Sequence, residues 1–211
     1  NLRMHLLMFL AGIANRLGFD KKGSFFLTQK VIHEKHLGKK HEMEYCLDLI
    51  REIGIEPEYK YPFVVSNEKS DLVVENLLKE QGVCEGDRFL VIHPGASCIS
   101  RLWPPENFAK TADMLMDSLN LKVVITCGPE KKELEGARSL IKNMRHPPVD
   151  LTNKINLAET VSLMKKAALF ISVDTGPMHI AASFGIPQVA LFARNDPGLS
   201  PLRWGPINKK S

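Results

Sequence analysis

From about residue 67 onward the chain alternates between two hydrophobic rhythms. Short, mostly apolar runs at 89–93, 122–127, 149–151, 169–173 and 188–192 are separated by longer stretches in which apolar residues recur every three or four positions. The first kind, continuous rather than alternating, suits strands covered on both faces. The second suits amphipathic helices. One such helix spans 71–79 through Leu72, Val73, Leu77 and Leu78. Another starts at Pro104-Pro105 and presents Phe108, Ala112, Leu115 and Leu119; a third runs through Leu134, Ala137 and Ile141. A fourth begins at Asn156, where Glu159 three residues on predicts a capping box, and carries Leu157, Val161, Met164 and Ala168. Strands alternating with helices of this length predict a parallel sheet with right-handed crossovers, a Rossmann-like α/β domain.

The first 66 residues are less regular. Leu2, Leu6, Phe9, Leu10 and Ile13 predict a helix over 1–16. Asn15-Arg16 stands where a signal peptide would need small residues, and the run is too short to span a bilayer, so an amphipathic core helix is expected. A turn at 20–23, a β-capable stretch over 24–31, a basic loop over 33–41 and a helix over 41–53 follow. Gly54 closes that helix, and Pro57 and Pro62 mark 55–66 as a linker. One α/β unit cannot bury a core alone. The organisation read from sequence is therefore an incomplete N-terminal domain or an appendage, with linker, at 1–66 and a Rossmann-like domain at 67–211.

Composition narrows the function classes. With 211 residues, 44% apolar, 25% charged and a net charge of +4, the chain suits an anionic ligand but lacks the dense basic stripe of a nucleic-acid binder. Cys46, Cys84, Cys98 and Cys127 lie far apart, as reduced thiols of a cytosolic protein do. His33 and His36 have no second ligand pair, so no metal site is expected. The basic loop around them reads either as a solvated loop or as a surface for an anionic acceptor or membrane lipid.

Parallel strands all end on one edge, and ligands of such sheets bind there. Polar or glycine-rich turns follow the strands at 94–101, 128–130, 174–179 and 193–197. In the first, Gly95 permits close backbone approach, Ser97 and Ser100 can donate to phosphate, and Arg101 can grip it bidentately. In the second, Glu130 can accept from ribose hydroxyls. In the third, Asp174 would accept from a sugar hydroxyl or cap the next helix. Thr175 and Gly176 open that helix towards an anion, and His179 lies in its first turn. No G-x-G-x-x-G, G-x-x-x-x-G-K-[ST] or G-x-S-x-G pattern occurs. What remains is a nucleotide-type ligand without hydride or kinase chemistry.

Several strings closely resemble family-9 glycosyltransferases, the lipopolysaccharide heptosyltransferases. They are His93-Pro94-Gly95-Ala96-Ser97, the run from Arg101 through Trp103-Pro104 to Ala109, Cys127-Gly128-Pro129-Glu130, Asp174-Thr175-Gly176-Pro177-Met178-His179, and Pro187 to Phe192. Residues 10–19 resemble the second half of that family's N-terminal domain. The resemblance implies a GT-B fold: two Rossmann-like domains facing across a cleft, the C-terminal one binding ADP-heptose and the N-terminal one the lipopolysaccharide inner core. It places Ser97, Arg101, Glu130, Asp174, Thr175, Gly176 and His179 on the donor, with Arg101 where a lysine commonly stands. It implies transfer with inversion, no cofactor and no catalytic metal, in the cytoplasm or at the cytoplasmic face of the inner membrane with peripheral contact. The family's glycine-rich opening unit, with its aspartate base, and its closing helix have no counterpart in these residues, so the chain resembles an internal fragment with no catalytic base of its own. A general base is worth roughly 10²–10⁴ in rate, so weak or no transfer is expected of these residues alone. The alternatives are a nucleotide-binding module without catalysis and another GT-B sugar transferase or epimerase.

Overall fold

The computed structural model describes residues 2–58 and 61–208. They form two compact units. One holds the chain up to residue 58 together with Asn195–Gly205, and the other holds Tyr61–Arg194 with residues 206–208. Residues 1, 59 and 60, on which parts of the expected first helix and linker fall, lie outside the described residues.

In the first unit, α1 (Leu2–Leu10) precedes two short strands, β1 (Leu17–Asp20) and β2 (Gln29–Ile32), paired in parallel with Leu17 opposite Gln29. β1 carries no apolar run that would announce it, and the stretch expected as β over 24–31 opens as a 3-10 turn, Ser24–Phe26. α1 differs from its expectation in length and burial. It stops before Gly12, whose φ of +69° ends the helix. Only His5 is buried, with Nδ1 3.1 Å from Gly23 O, whereas Leu7 and Leu10 are 58% and 69% exposed. Among the described residues it is not a core helix. α2 (Glu42–Arg51) is capped by His41, whose Nδ1 accepts from the Met43 amide at 3.2 Å.

The sequence boundary at 66 leaves everything later in one domain, but residues 195–205 pack with the first unit. Arg203 in the short helix Pro201–Trp204 donates from Nε to Glu42 Oε2 at 2.8 Å and from Nη1 to the carbonyls of Lys35 and Gly198 at 3.0 and 2.8 Å. Burial would raise the Glu42 carboxyl; hydrogen bonds and charge from Lys35 and Arg203 outweigh it and hold the group below its usual range.

The second unit is built on a sheet. α3 (Glu68–Glu80) leads to β3 (Phe89–His93), α4 (Pro105–Leu119), β4 (Lys122–Ile125), α5 (Lys131–Asn143), β5 (Val149–Asp150), α6 (Leu157–Lys166), β6 (Leu169–Val173), α7 (Gly176–Ser183) and β7 (Gln188–Leu191). The strands lie in the order β5-β4-β3-β6-β7, all parallel. Asn156 Oδ1 accepts from the Glu159 amide at 3.1 Å, and Glu159 Oε2 accepts from the Asn156 amide at 2.7 Å, the capping box read from the sequence.

Both faces of this sheet are covered, which explains the uninterrupted apolar strands. Phe89, Val91 and Phe170 pack with Val74, Leu163 and Met178 of α3, α6 and α7. Leu90, Ile92 and Ile171 pack with Phe108, Ala112 and Leu140 of α4 and α5. Each large apolar side chain so buried contributes roughly 1.5–3 kcal/mol. The helix after β3 thus covers one face and the helix after β6 the other. Ligands of such sheets bind beyond the carboxyl ends of strands that stand in this relation, at the topological switch point.

Candidate functional site

The loops after β3 and β6 meet across the switch point. The β3 loop holds a 3-10 turn, Ile99–Arg101, and its last residue reaches the first residue beyond β6. Arg101 Nη1 donates to Asp174 O at 3.2 Å, and Arg101 Nε stands 3.4 Å from Asp174 Oδ2. Arg194, just past β7, donates from Nη2 to the same Oδ2 at 2.7 Å. Asp174 is buried at 7% exposure, so its charge is tolerated because two guanidiniums converge on it. Arg101 Nε is itself buried and, among the described residues, has no hydrogen-bonded acceptor.

Next to this cluster α7 begins. Thr175 is its N-cap, with extended backbone and no side-chain cap, and Gly176 is its first and exposed residue. Asp174, expected either to cap this helix or to face a sugar, does not cap it. A helix start favours an anion by up to about 2 kcal/mol in a partly buried setting. Pro177 has no N–H, which leaves the Thr175 and Gly176 amides as the donors at the very start of this helix.

A cavity of about 700 Å³ runs along the same edge, with His93 at the end of β3, Thr126 to Pro129 after β4, 153–157 after β5, and Thr175 and Pro177. His93 Nδ1 lies 3.0 Å from Thr126 Oγ1, and burial pushes its pKa down to about 4, so the ring is neutral at pH 7. Glu133, in the first turn of α5, also lines this cavity. Burial raises its carboxyl above the usual range, against a hydrogen bond from the Gly128 backbone. A Cβ at Gly128 would overlap the Glu133 carboxylate, and one at Gly95 would come within 3.0 Å of Glu133 Cδ. Gly128 therefore leaves the room in which this carboxylate sits, and Gly95 lies close beside it.

Ser97 is exposed and lines a second, more apolar cavity of about 580 Å³ with Glu130, Trp103 and the other side of Glu133. Glu130 is the N-cap of α5 but makes no side-chain cap bond. His179 is half-buried in the first turn of α7. The structure thus joins Arg101 to Asp174 directly and sets Thr175 and Gly176 beside them, while Ser97 and Glu130 share the neighbouring cavity. Sequence reasoning missed Glu133 and Arg194. Glu133 had one available signal, its position one helical turn beyond Glu130; Arg194 had its place in the last of the four polar turns.

Among the described residues no three His, Cys, Asp or Glu side chains are grouped to hold a metal ion, and no helix is long and apolar enough to cross a membrane.

Comparison with known proteins gives one consistent result. Residues 1–211 match the family described as glycosyltransferase family 9 (heptosyltransferase). Lipopolysaccharide heptosyltransferase 3 of Escherichia coli is 28% identical over 179 residues, which cover 84% of this chain and 52% of that protein. Among solved structures, the family 9 glycosyl transferase of Veillonella parvula superposes with a TM-score of 0.84 at 23% identity, covering 98% of this chain and 58% of its own. E. coli ADP-heptose lipopolysaccharide heptosyltransferase II superposes at 0.73 with 20% identity, covering 100% and 64%. The chain spans about half the length of the curated relative it matches. The solved structures share its fold, which is that of GT-B heptosyltransferases.

Proposed function

The chain belongs to glycosyltransferase family 9, the heptosyltransferase family, and from that premise we propose that it carries the donor half of an ADP-heptose-dependent heptosyltransferase acting on the lipopolysaccharide inner core. The observation that carries the reading is the meeting of Arg101 with Asp174 beside the start of α7, at the switch point of the parallel sheet.

In this reading the adenosine lies along the larger cavity, with Glu133 accepting from ribose hydroxyls and Glu130 at the neighbouring cavity. The diphosphate lies between Arg101 and the Thr175-Gly176 helix start. As the glycosidic bond to the diphosphate breaks, negative charge grows on the leaving oxygen. A fixed guanidinium and helix amides stabilise that charge without having to reorganise. Asp174 faces the sugar, and His179 and Ser97 complete the donor contacts. The incoming acceptor hydroxyl attacks from the opposite side, inverting the anomeric centre. No group in the described site is placed as the base for that hydroxyl, so proton removal is assigned to a residue outside it. The reaction would run at the cytoplasmic face of the inner membrane, where its acceptor is anchored.

Calorimetric titration with ADP-heptose and, separately, with a uridine diphosphate sugar tests the reading. Saturable binding of the adenine donor alone is expected. Preference for the uridine donor would instead make the chain another kind of GT-B sugar enzyme, and no binding by a demonstrably folded chain would sink the donor-site assignment.

A further inference from the structure

We propose that Arg194 is a second phosphate-binding cation of this site, forming with Arg101 a two-arginine clamp that grips a diphosphate, with Asp174 as the fixed counterion that holds both guanidiniums in place. The inference rests on the donor reading above and adds to it a residue and a charge.

Three observations lead to it. First, both arginines converge on one oxygen of one acid: Arg194 Nη2 at 2.7 Å and Arg101 Nε at 3.4 Å from Asp174 Oδ2. Two guanidiniums against one carboxylate leave one positive charge over, at a strand edge where α7 adds the positive end of its dipole. A structural ion pair needs only one cation to neutralise a buried Asp174, and the second has no such explanation. Second, donors remain. Each planar guanidinium offers five N–H groups, of which Arg101 directs Nη1 and Nε at Asp174 and Arg194 spends Nη2 on it. Third, the field of both arginines extends over the exposed end of the β3 loop. The Cys98 thiol there is held below its usual range, first by hydrogen bonding from Ser100 and then by the charges of Arg101 and Arg194. An anion placed between that loop and α7 would meet both cations together.

Asp174 explains how such a clamp is kept ready. Two free arginines would repel each other and spread into solvent. Tied to one buried carboxylate, they stay close and partly desolvated, where hydrogen bonds to a phosphate are strongest. A single arginine suits one phosphoryl group, and two suit the pair of phosphoryl groups in a nucleoside diphosphate.

The test compares ligands that differ only in phosphate. Affinities of the full chain for ADP, adenosine and inorganic pyrophosphate are measured for the natural protein, Arg194→Gln and Arg194→Lys. The clamp predicts that Arg194→Gln weakens ADP and pyrophosphate about tenfold or more, the loss of one charge-assisted contact, while adenosine changes less than about twofold. Arg194→Lys, which keeps the charge but loses the fork, is expected to recover part of the ADP affinity. It also serves if the glutamine variant fails to fold. Equal losses for ADP and adenosine would make Arg194 a purely structural partner of Asp174 and overturn the proposal, as would an unchanged ADP affinity in both variants. If the natural chain binds no ADP, the donor reading falls and the clamp with it; ADP binding that ignores Arg194 removes the clamp alone.

Discussion

Arg101 crosses the switch point of the sheet to Asp174, giving a hydrogen bond to its main-chain oxygen at 3.2 Å and standing 3.4 Å from its carboxylate. The contact joins the loop after β3 to the loop after β6, two neighbouring strands whose following helices lie on opposite faces.

Replacing Asp174 with asparagine tests its place as the shared counterion of Arg101 and Arg194. Two partly buried guanidiniums lose their counterion, and the fold is expected to lose about 1–3 kcal/mol in urea unfolding. ADP binding should weaken as well, because the two arginines lose the carboxylate that holds them side by side. An unchanged ADP affinity would mean that the two arginines keep their positions without this carboxylate.

His93 gives the protein an acid-sensitive step. Its folded pKa of about 4 lies below the unfolded value of 6.5, so between these values the unfolded chain binds the extra proton and stability falls with falling pH. Stability is complete above pH 6.5. About 2 kcal/mol should be lost between pH 7 and pH 5, with the decline levelling off below the folded pKa. Denaturant unfolding across this range measures it, and the step should be absent in His93→Gln.

Gly128→Ala should act through Glu133. The added methyl would take the place of the carboxylate, whose flexible side chain can swing away. Folding stability is therefore expected to change by less than about 1 kcal/mol. Adenosine affinity should fall by a similar factor in Gly128→Ala and Glu133→Gln. Unequal effects would separate the glycine from the acid.

In the first unit, Gly38 has φ +58° and lies against the backbone of Pro197, where a Cβ would overlap the carbonyl. Gly38→Ala combines a left-handed backbone penalty with that overlap, and a cost of about 2–4 kcal/mol to this unit is expected. Limited proteolysis should show residues 195–205 cut earlier than in the natural chain.

Much of the second unit was legible because its signals are local. The apolar strand at 89–93, the proline start of α4 and the Asn156 and Glu159 cap each lie within a few residues. The edge on which the candidate residues gather followed from parallel topology alone. What the sequence concealed depends on distant partners. β1 is four residues long and exists through pairing with β2; Arg203 finds Glu42 across 161 positions; Arg194 acquires meaning only beside Asp174. Glu133 was overlooked because Glu130 sits nearer the glycine turn, whereas the helical twist of α5 brings Glu133 round to Gly128. The first helix misled for the opposite reason: helical spacing of leucines fixes a stripe but says nothing of what covers it.

The central claim, that the carboxyl edge between β3 and β6 holds the nucleotide-sugar, is tested most directly by following backbone amide resonances of the full chain during titration with ADP-heptose. The account predicts saturable shifts that are largest at Arg101, Gly128, Thr175 and Gly176, with Arg101→Gln moving the same resonances only at about tenfold higher ligand. Shifts confined to other parts of the chain, or a folded protein whose spectrum does not change, would contradict it.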